Sequence, residues 1–142
     1  STPHTSSAAS DVYKRQVYYE DTDAQGVVYY ANYLKFCERA RTEYLRSLGY
    51  EQKELMDKGI IFIVRKVIIE YLKPVKLDEL IKIQTCLKKV KKVSFNFSQT
   101  IYNFDSEKVC EAEIFCGSIH SLSKKPMLVP EKLLNNMIKE TN

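Results

Sequence analysis

The stretch YYEDTDAQGVVYYANYLKFCERARTEYLRSLG, Tyr18 to Gly49, decides how the rest of the chain is read. From about Tyr29 or Asn32 to Leu48 its apolar residues return with helical spacing. Tyr33, Cys37, Ala40, Tyr44 and Leu48 make one stripe, with Leu34, Arg41 and Leu45 beside it. A 3.6-residue period with so wide an apolar face describes a helix covered along much of its length. Asn32 suits a helix start and Gly49 the position just past the end. Glu38–Arg41 and Arg39–Glu43 have the spacing of ion pairs on the polar side. At its usual rise such a helix is roughly 25 Å long, enough to cross a domain of this size.

Ahead of the helix come Glu20, Asp21 and Asp23, a short turn Ala24-Gln25-Gly26, and Val27-Val28-Tyr29-Tyr30. Asp23 therefore falls in a strand-to-helix loop, close to N–H groups that have no partner in the helix and carry partial positive charge. A carboxylate beside such donors can attack a carbonyl while the donors hold the resulting oxyanion. On composition alone Asp23 also fits a plain turn residue favoured by the helix dipole. The spacing Asp21-x-Asp23-x-Gln25-Gly26 looks like the opening of a calcium loop, but the twelfth position is Asn32, which cannot supply the bidentate carboxylate.

Upstream, Ser1 to Lys14 is Ser/Thr/Ala-rich without periodicity and reads as a disordered or non-native tail, so His4 and Asp11 carry no functional weight. Arg15 to Glu20 is a short β-prone run around Val17-Tyr18-Tyr19. Downstream, a short helix is expected over about Glu51–Lys58, and from Ile60 the character turns to β. Ile60–Lys73, Leu80–Val90, Val93–Tyr102 and Val109–Leu122 read as four strands, and Lys132–Lys139 as a short terminal helix. No helices alternate with these strands, so a doubly wound parallel sheet is excluded. One antiparallel sheet needs its apolar face covered, and only the Tyr33–Leu48 segment is long enough. The expected domain, 15–142, is a sheet wrapped around one central helix, with open edges that favour a dimer.

Composition narrows the function classes. The 142 residues, 44% apolar and 28% charged, suit an ordinary globular domain. A net charge of +4 falls short of a nucleic-acid footprint, and the run Lys88-Lys89-Val90-Lys91-Lys92 reads first as a solvated hairpin tip. No apolar run is long enough to span a membrane, and the start lacks the pattern of a secretory signal. Cys37, Cys86, Cys110 and Cys116 form no C-x-x-C pair and read as reduced, covered thiols; with only two histidines, no zinc site is expected. The four glycines allow no G-x-G-x-x-G, Walker A or G-x-S-x-G motif.

The string Tyr18–Tyr33, followed by Phe36-Cys37-Glu38-Arg39-Ala40-Arg41-Thr42-Glu43, resembles the signature of hotdog-fold acyl-CoA thioesterases. The branch is that of the Tol–Pal-associated YbgC-like enzymes and their 4-hydroxybenzoyl-CoA thioesterase relatives. Similarity continues through Phe62–Lys66, Glu70-Tyr71, Pro74 and Leu77–Glu79. The resemblance implies an α+β hotdog fold, with about five antiparallel strands around one long helix. It implies a cytoplasmic homodimer or homotetramer that hydrolyses short- or medium-chain or aromatic acyl-CoA to free acid and CoA. Asp23 takes the place of the catalytic carboxylate, as nucleophile or general base, and backbone N–H groups at Tyr29, Tyr30 or close neighbours polarise the thioester. Gly26, Val27 and Val28 would line the substrate, and Glu38 would shape the site from a partner subunit. Arg65 and Lys66, with Lys89, Lys91 and Lys92, are the candidates for the CoA phosphates. No cofactor is implied beyond the CoA of the substrate. An acyl carrier protein or the Tol–Pal system is a further partner the resemblance leaves open. One departure stands out: YbgC-like members usually carry histidine where this chain has Tyr30. That change favours the rival reading, a non-catalytic module that binds acyl-CoA or acyl carrier protein. A hotdog dehydratase would need a catalytic histidine that the motif region lacks.

Overall fold

The computed structural model describes residues 10–141. Five strands, β1 (Ser10–Gln16), β2 (Ile60–Tyr71), β3 (Leu80–Val90), β4 (Ser94–Tyr102) and β5 (Lys108–His120), form one antiparallel sheet in the order β1-β3-β4-β5-β2. The long helix α1 (Asn32–Ser47) is the central helix; α2 (Gln52–Asp57) leads into β2, and α3 (Glu131–Glu140) ends the chain. This is the hotdog arrangement, and its order follows from the alternation in the strands. Ile81, Ile83 and Leu87 of β3, Phe97 and Ile101 of β4, and Ile114 of β5 are buried, each separated from the next by more exposed neighbours. Against them α1 sets Tyr33, Phe36, Cys37, Ala40, Tyr44 and Leu45. Full burial of each large apolar side chain is worth about 1.5–3 kcal/mol, so this inner face carries most of the fold's stabilisation. Leu133 and Met137 of α3 join the same core beside Tyr44 and Leu87.

Two expectations near the start are corrected. Ser10–Lys14, read as part of a disordered tail, belong to β1, which pairs residue by residue with β3 from Ser10↔Cys86 to Gln16↔Leu80. The polar sequence hides this strand because an edge position buries little, and backbone pairing holds it. Conversely, Val17 to Glu20 do not continue the strand: Val17 is buried, and Tyr19–Asp21 form a short helical turn. His4 lies outside the described residues. On α1 the two expected ion pairs are absent among the described residues; Glu43 pairs instead with Arg46 at 3.1 Å. Arg41 turns to the buried Gln99 of β4, which accepts from its guanidinium at 3.0 Å.

Two irregularities in the sheet bear on the site. The β2–β5 register shifts between Val64 and Lys66, leaving Arg65 as an extra residue whose side chain lies against Gly117, the partner of Ile63: a Cβ there would come within 2.9 Å of Arg65 Cδ and force that side chain to shift. The second shift, between Leu87 and Lys89, precedes the basic β3–β4 turn. β2 is also an edge of the sheet, twelve residues long, with Val64, Val67 and Ile68 exposed.

Candidate active site

The acidic loop folds into a small closed structure before α1 begins. Asp23 donates its N–H to Val27 O at 2.9 Å, Gly26 donates to Asp23 O at 3.0 Å, and Thr22 bridges Val28. Gly26 has φ +80°, a conformation that glycine adopts without the Cβ penalty, which lets the chain reverse within three residues. The Asp23 carboxylate is half-buried; its Oδ1 accepts the Gln25 N–H at 2.8 Å.

Asp21 has a different task. It is 5% exposed, and its Oδ2 accepts the Tyr18 N–H at 2.9 Å and the Arg15 guanidinium at 3.1 Å. The same guanidinium lies 4.7 Å from the Phe36 ring centroid and 5.4 Å from that of Tyr18, a cation stacked on aromatic faces. The Asp21 carbonyl accepts the Tyr29 N–H at 2.9 Å and the Asn32 side-chain amide at 2.8 Å. Asp21 thus fastens β1, the loop and the start of α1 to one another.

These bonds decide which amides remain. Tyr29, one of the two expected donors, has its N–H committed to Asp21. Asn32, expected as a cap, is the first helical residue and spends its side chain on the same carbonyl; no side chain caps the helix. The N–H groups of Asn32, Tyr33 and Leu34 donate to Tyr29, Tyr30 and Ala31 carbonyls. Among the described residues, the Tyr30 and Ala31 N–H groups find no intramolecular acceptor. Two adjacent free donors at the positive end of a 16-residue helix are suited to an oxyanion.

Around them is an aromatic patch. The Tyr29 and Tyr30 rings are 4.9 Å apart, Tyr30 meets Tyr71 of β2 edge-on at 5.9 Å, and Tyr71 lies 5.6 Å from Tyr33. Tyr30 beside it holds the Tyr29 phenol above its usual pKa, and desolvation and the charge of Asp23 add to the shift. Of the expected substrate contacts, Gly26 is exposed at the loop tip and Val27 is half-buried, bridged to Lys76. Val28 is corrected: it is 4% exposed, its N–H donates to Val75 O, and its side chain belongs to the core.

The other candidates lie elsewhere. Arg65, Lys89 and Lys91 line one cavity of about 410 Å³ with Ser94, Asn96 and Phe115, where the β2 bulge meets the β3–β4 turn. Lys66 does not join it; its Nζ sits 5.3 Å from the Phe115 ring centroid. Glu38 is exposed on α1, at a groove of about 230 Å³ between that helix and β2 that also contains Arg41 and Phe62. Neither of these cavities is lined by Asp23 or Tyr30. Burial pushes the Cys37 and Cys116 thiols up to about 11 and Cys110 to about 12, and raises the half-exposed Cys86 as well, which disfavours the reactive thiolate. Sequence reasoning missed Asp21 as the fastening residue, Tyr71 in the patch and the Arg41–Gln99 contact. Only long-range pairing distinguishes them.

The fold and this loop define a class, and comparison with known proteins agrees. Residues 17–137 match the thioesterase-like superfamily, and the chain belongs to it. It is 42% identical to the acyl-CoA thioester hydrolase YbgC of Escherichia coli over 84% of this chain and 89% of that one. It is 38% identical to the acyl-CoA thioesterase YbgC of Haemophilus influenzae, over 83% and 87% of the two chains. Among solved structures, a 1,4-dihydroxy-2-naphthoyl-CoA thioesterase from Synechocystis shares the fold with TM-score 0.84, covering 92% and 96% of the two chains at 20% identity.

Proposed function

We propose that this protein is an acyl-CoA thioesterase that releases CoA and a free short- or medium-chain or aromatic acid, with Asp23 as its catalytic carboxylate. What supports the reading is the pair of unpartnered amides, Tyr30 and Ala31, in the same short segment of chain as a half-exposed acid, Asp23, in a loop locked by its own hydrogen bonds. As nucleophile, Asp23 adds to the thioester carbonyl, whose oxygen becomes negative against those amides. The carbonyl re-forms as the C–S bond breaks, CoA leaves as thiolate and takes up a proton, and water cleaves the mixed anhydride. As general base, Asp23 instead takes a proton from the water that attacks. Tyr30 contributes its backbone N–H in either case, so the departure from histidine leaves the oxyanion contact intact. Arg65, Lys89 and Lys91 would meet the CoA phosphates; Lys66, stacked on Phe115, is a weaker candidate.

No described helix is long and apolar enough to cross a membrane. The covered thiols and absent disulfides among the described residues fit a cytoplasmic protein. The open edge of β2 supports a homodimer in which two copies pair antiparallel along that strand, with Asp23 near the subunit boundary. A tetramer built from such dimers, and contact with an acyl carrier protein or the Tol–Pal system, are extensions the same surface permits. Two measurements test this. A panel of acyl-CoA thioesters assayed for free thiol is expected to show turnover; binding without thiol release would favour the non-catalytic module. Val67→Lys with Ile68→Lys, both on the exposed edge, is expected to turn the dimer into monomers in sedimentation and to abolish most activity. Full activity in a monomeric variant would contradict the composite site.

A further inference from the structure

Arg41 is a cation without an anion. It is half-buried in the groove between α1 and β2, and no carboxylate comes within 4.0 Å of its nitrogens among the described residues. Glu38, one turn earlier and at the same groove, is exposed and does not reach it. The surroundings are apolar: Tyr50, Phe62, Phe95 and Phe97 follow one another with ring centroids 5.8, 5.0 and 5.8 Å apart. A guanidinium has five donors in a rigid fork, and among the described residues one atom, Gln99 Oε1, accepts from it. Gln99 itself is 1% exposed and fixed, its amide donating to Cys37 O and Thr85 Oγ1, each at 2.9 Å. A partly desolvated, unpaired charge is costly to keep, and a site that keeps one fits a ligand that supplies the opposite charge.

Strand geometry says which ligand reaches it. If two β2 strands pair antiparallel about their middle, the Tyr71 end of one lies beside the Ile60–Phe62 end of the other. Tyr71 belongs to the aromatic patch at the Asp23 loop, and Phe62 lines the Arg41 groove. In such a dimer the Asp23 loop of one subunit would lie at the same end of the paired strands as the Arg41 groove of the other, where that groove could receive the acyl group of a thioester held at Asp23.

We propose that Arg41 is a specificity residue: it binds a carboxylate at the far end of the acyl group, so that carboxyl-terminated acyl-CoA thioesters are preferred over neutral ones of the same shape. This rests on the thioesterase reading and on pairing through β2. Glutaryl-CoA and 5-methylhexanoyl-CoA make the comparison, since they differ in a terminal carboxylate against a terminal isopropyl group. Wild type is expected to favour glutaryl-CoA by about tenfold or more in kcat/KM, the size of effect a charge-matched group gives in an enclosed site. Arg41→Met should bring the ratio to about one, and Arg41→Lys should restore part of it, which a purely structural role for Arg41 would not do. The ratio of dissociation constants for the two thioesters, measured on Asp23→Asn by calorimetry, reads the same preference without turnover. Thiol release with a ratio at or below one in wild type overturns the proposal and leaves the thioesterase reading standing. A binding preference without thiol release by wild type does the reverse. Should Arg41→Met fall apart into monomers with its ratio unchanged, Arg41 is an interface residue and the proposal is wrong.

Discussion

Asp21→Ala is expected to destabilise the protein by about 3 kcal/mol, measured as a shift of the urea midpoint. The change removes a carboxylate that is 8% exposed in its side chain and leaves Arg15, at 12%, with a buried charge and no counter-ion. Breaking one partner of such a pair costs roughly 3–5 kcal/mol; the lower end applies because the guanidinium keeps the faces of Phe36 and Tyr18. The Tyr18 N–H also loses its acceptor. Activity should fall with stability, since the Asp21 main chain holds Tyr29 and Asn32, and through them the free amides. Asp21→Asn keeps an oxygen for Tyr18 and should recover part of the loss. A destabilisation below about 1 kcal/mol would mean that the acid is not the fastening point.

Asp23→Asn should behave in the opposite way: a large loss of turnover with almost no loss of stability. Its carboxylate is half-exposed, and the amide oxygen of Asn can still accept the Gln25 N–H. Changes at such positions usually stay within about 0.5 kcal/mol. Chemistry is another matter, because an amide neither adds to a thioester nor takes a proton from water. Removing a group of this kind typically costs about 10²–10⁴-fold in rate. Substrate affinity should be largely kept, which separates a catalytic loss from a binding one.

The contrast between these two acids, two residues apart, shows where sequence reading stops. The helix was legible because Tyr33, Cys37, Ala40 and Tyr44 repeat every three or four residues and all are buried. Strands β3 to β5 were legible from alternation, which survives wherever one face meets the core. β1 was not, since Ser10 to Gln16 is an edge strand whose pairing is made by backbone groups that sequence does not encode. Local spacing also misled on α1. Arg41 stands three residues from Glu38, yet it answers to Gln99, 58 residues away, because the partner across the core is fixed and the exposed carboxylate is not. Likewise Val28 stands in the motif but faces inward, and the Tyr29 amide is used by the loop itself. The motif located the site; hydrogen-bond accounting narrowed the donors to Tyr30 and Ala31.

The most direct measurement is the rate of CoA thiol release from a saturating acyl-CoA by wild type and Asp23→Asn, prepared together and matched in thermal midpoint. Turnover about a thousandfold slower in the variant is the predicted result, within the range for loss of an essential acid or base. Rates within a few-fold of each other would contradict the account, however well the loop is built.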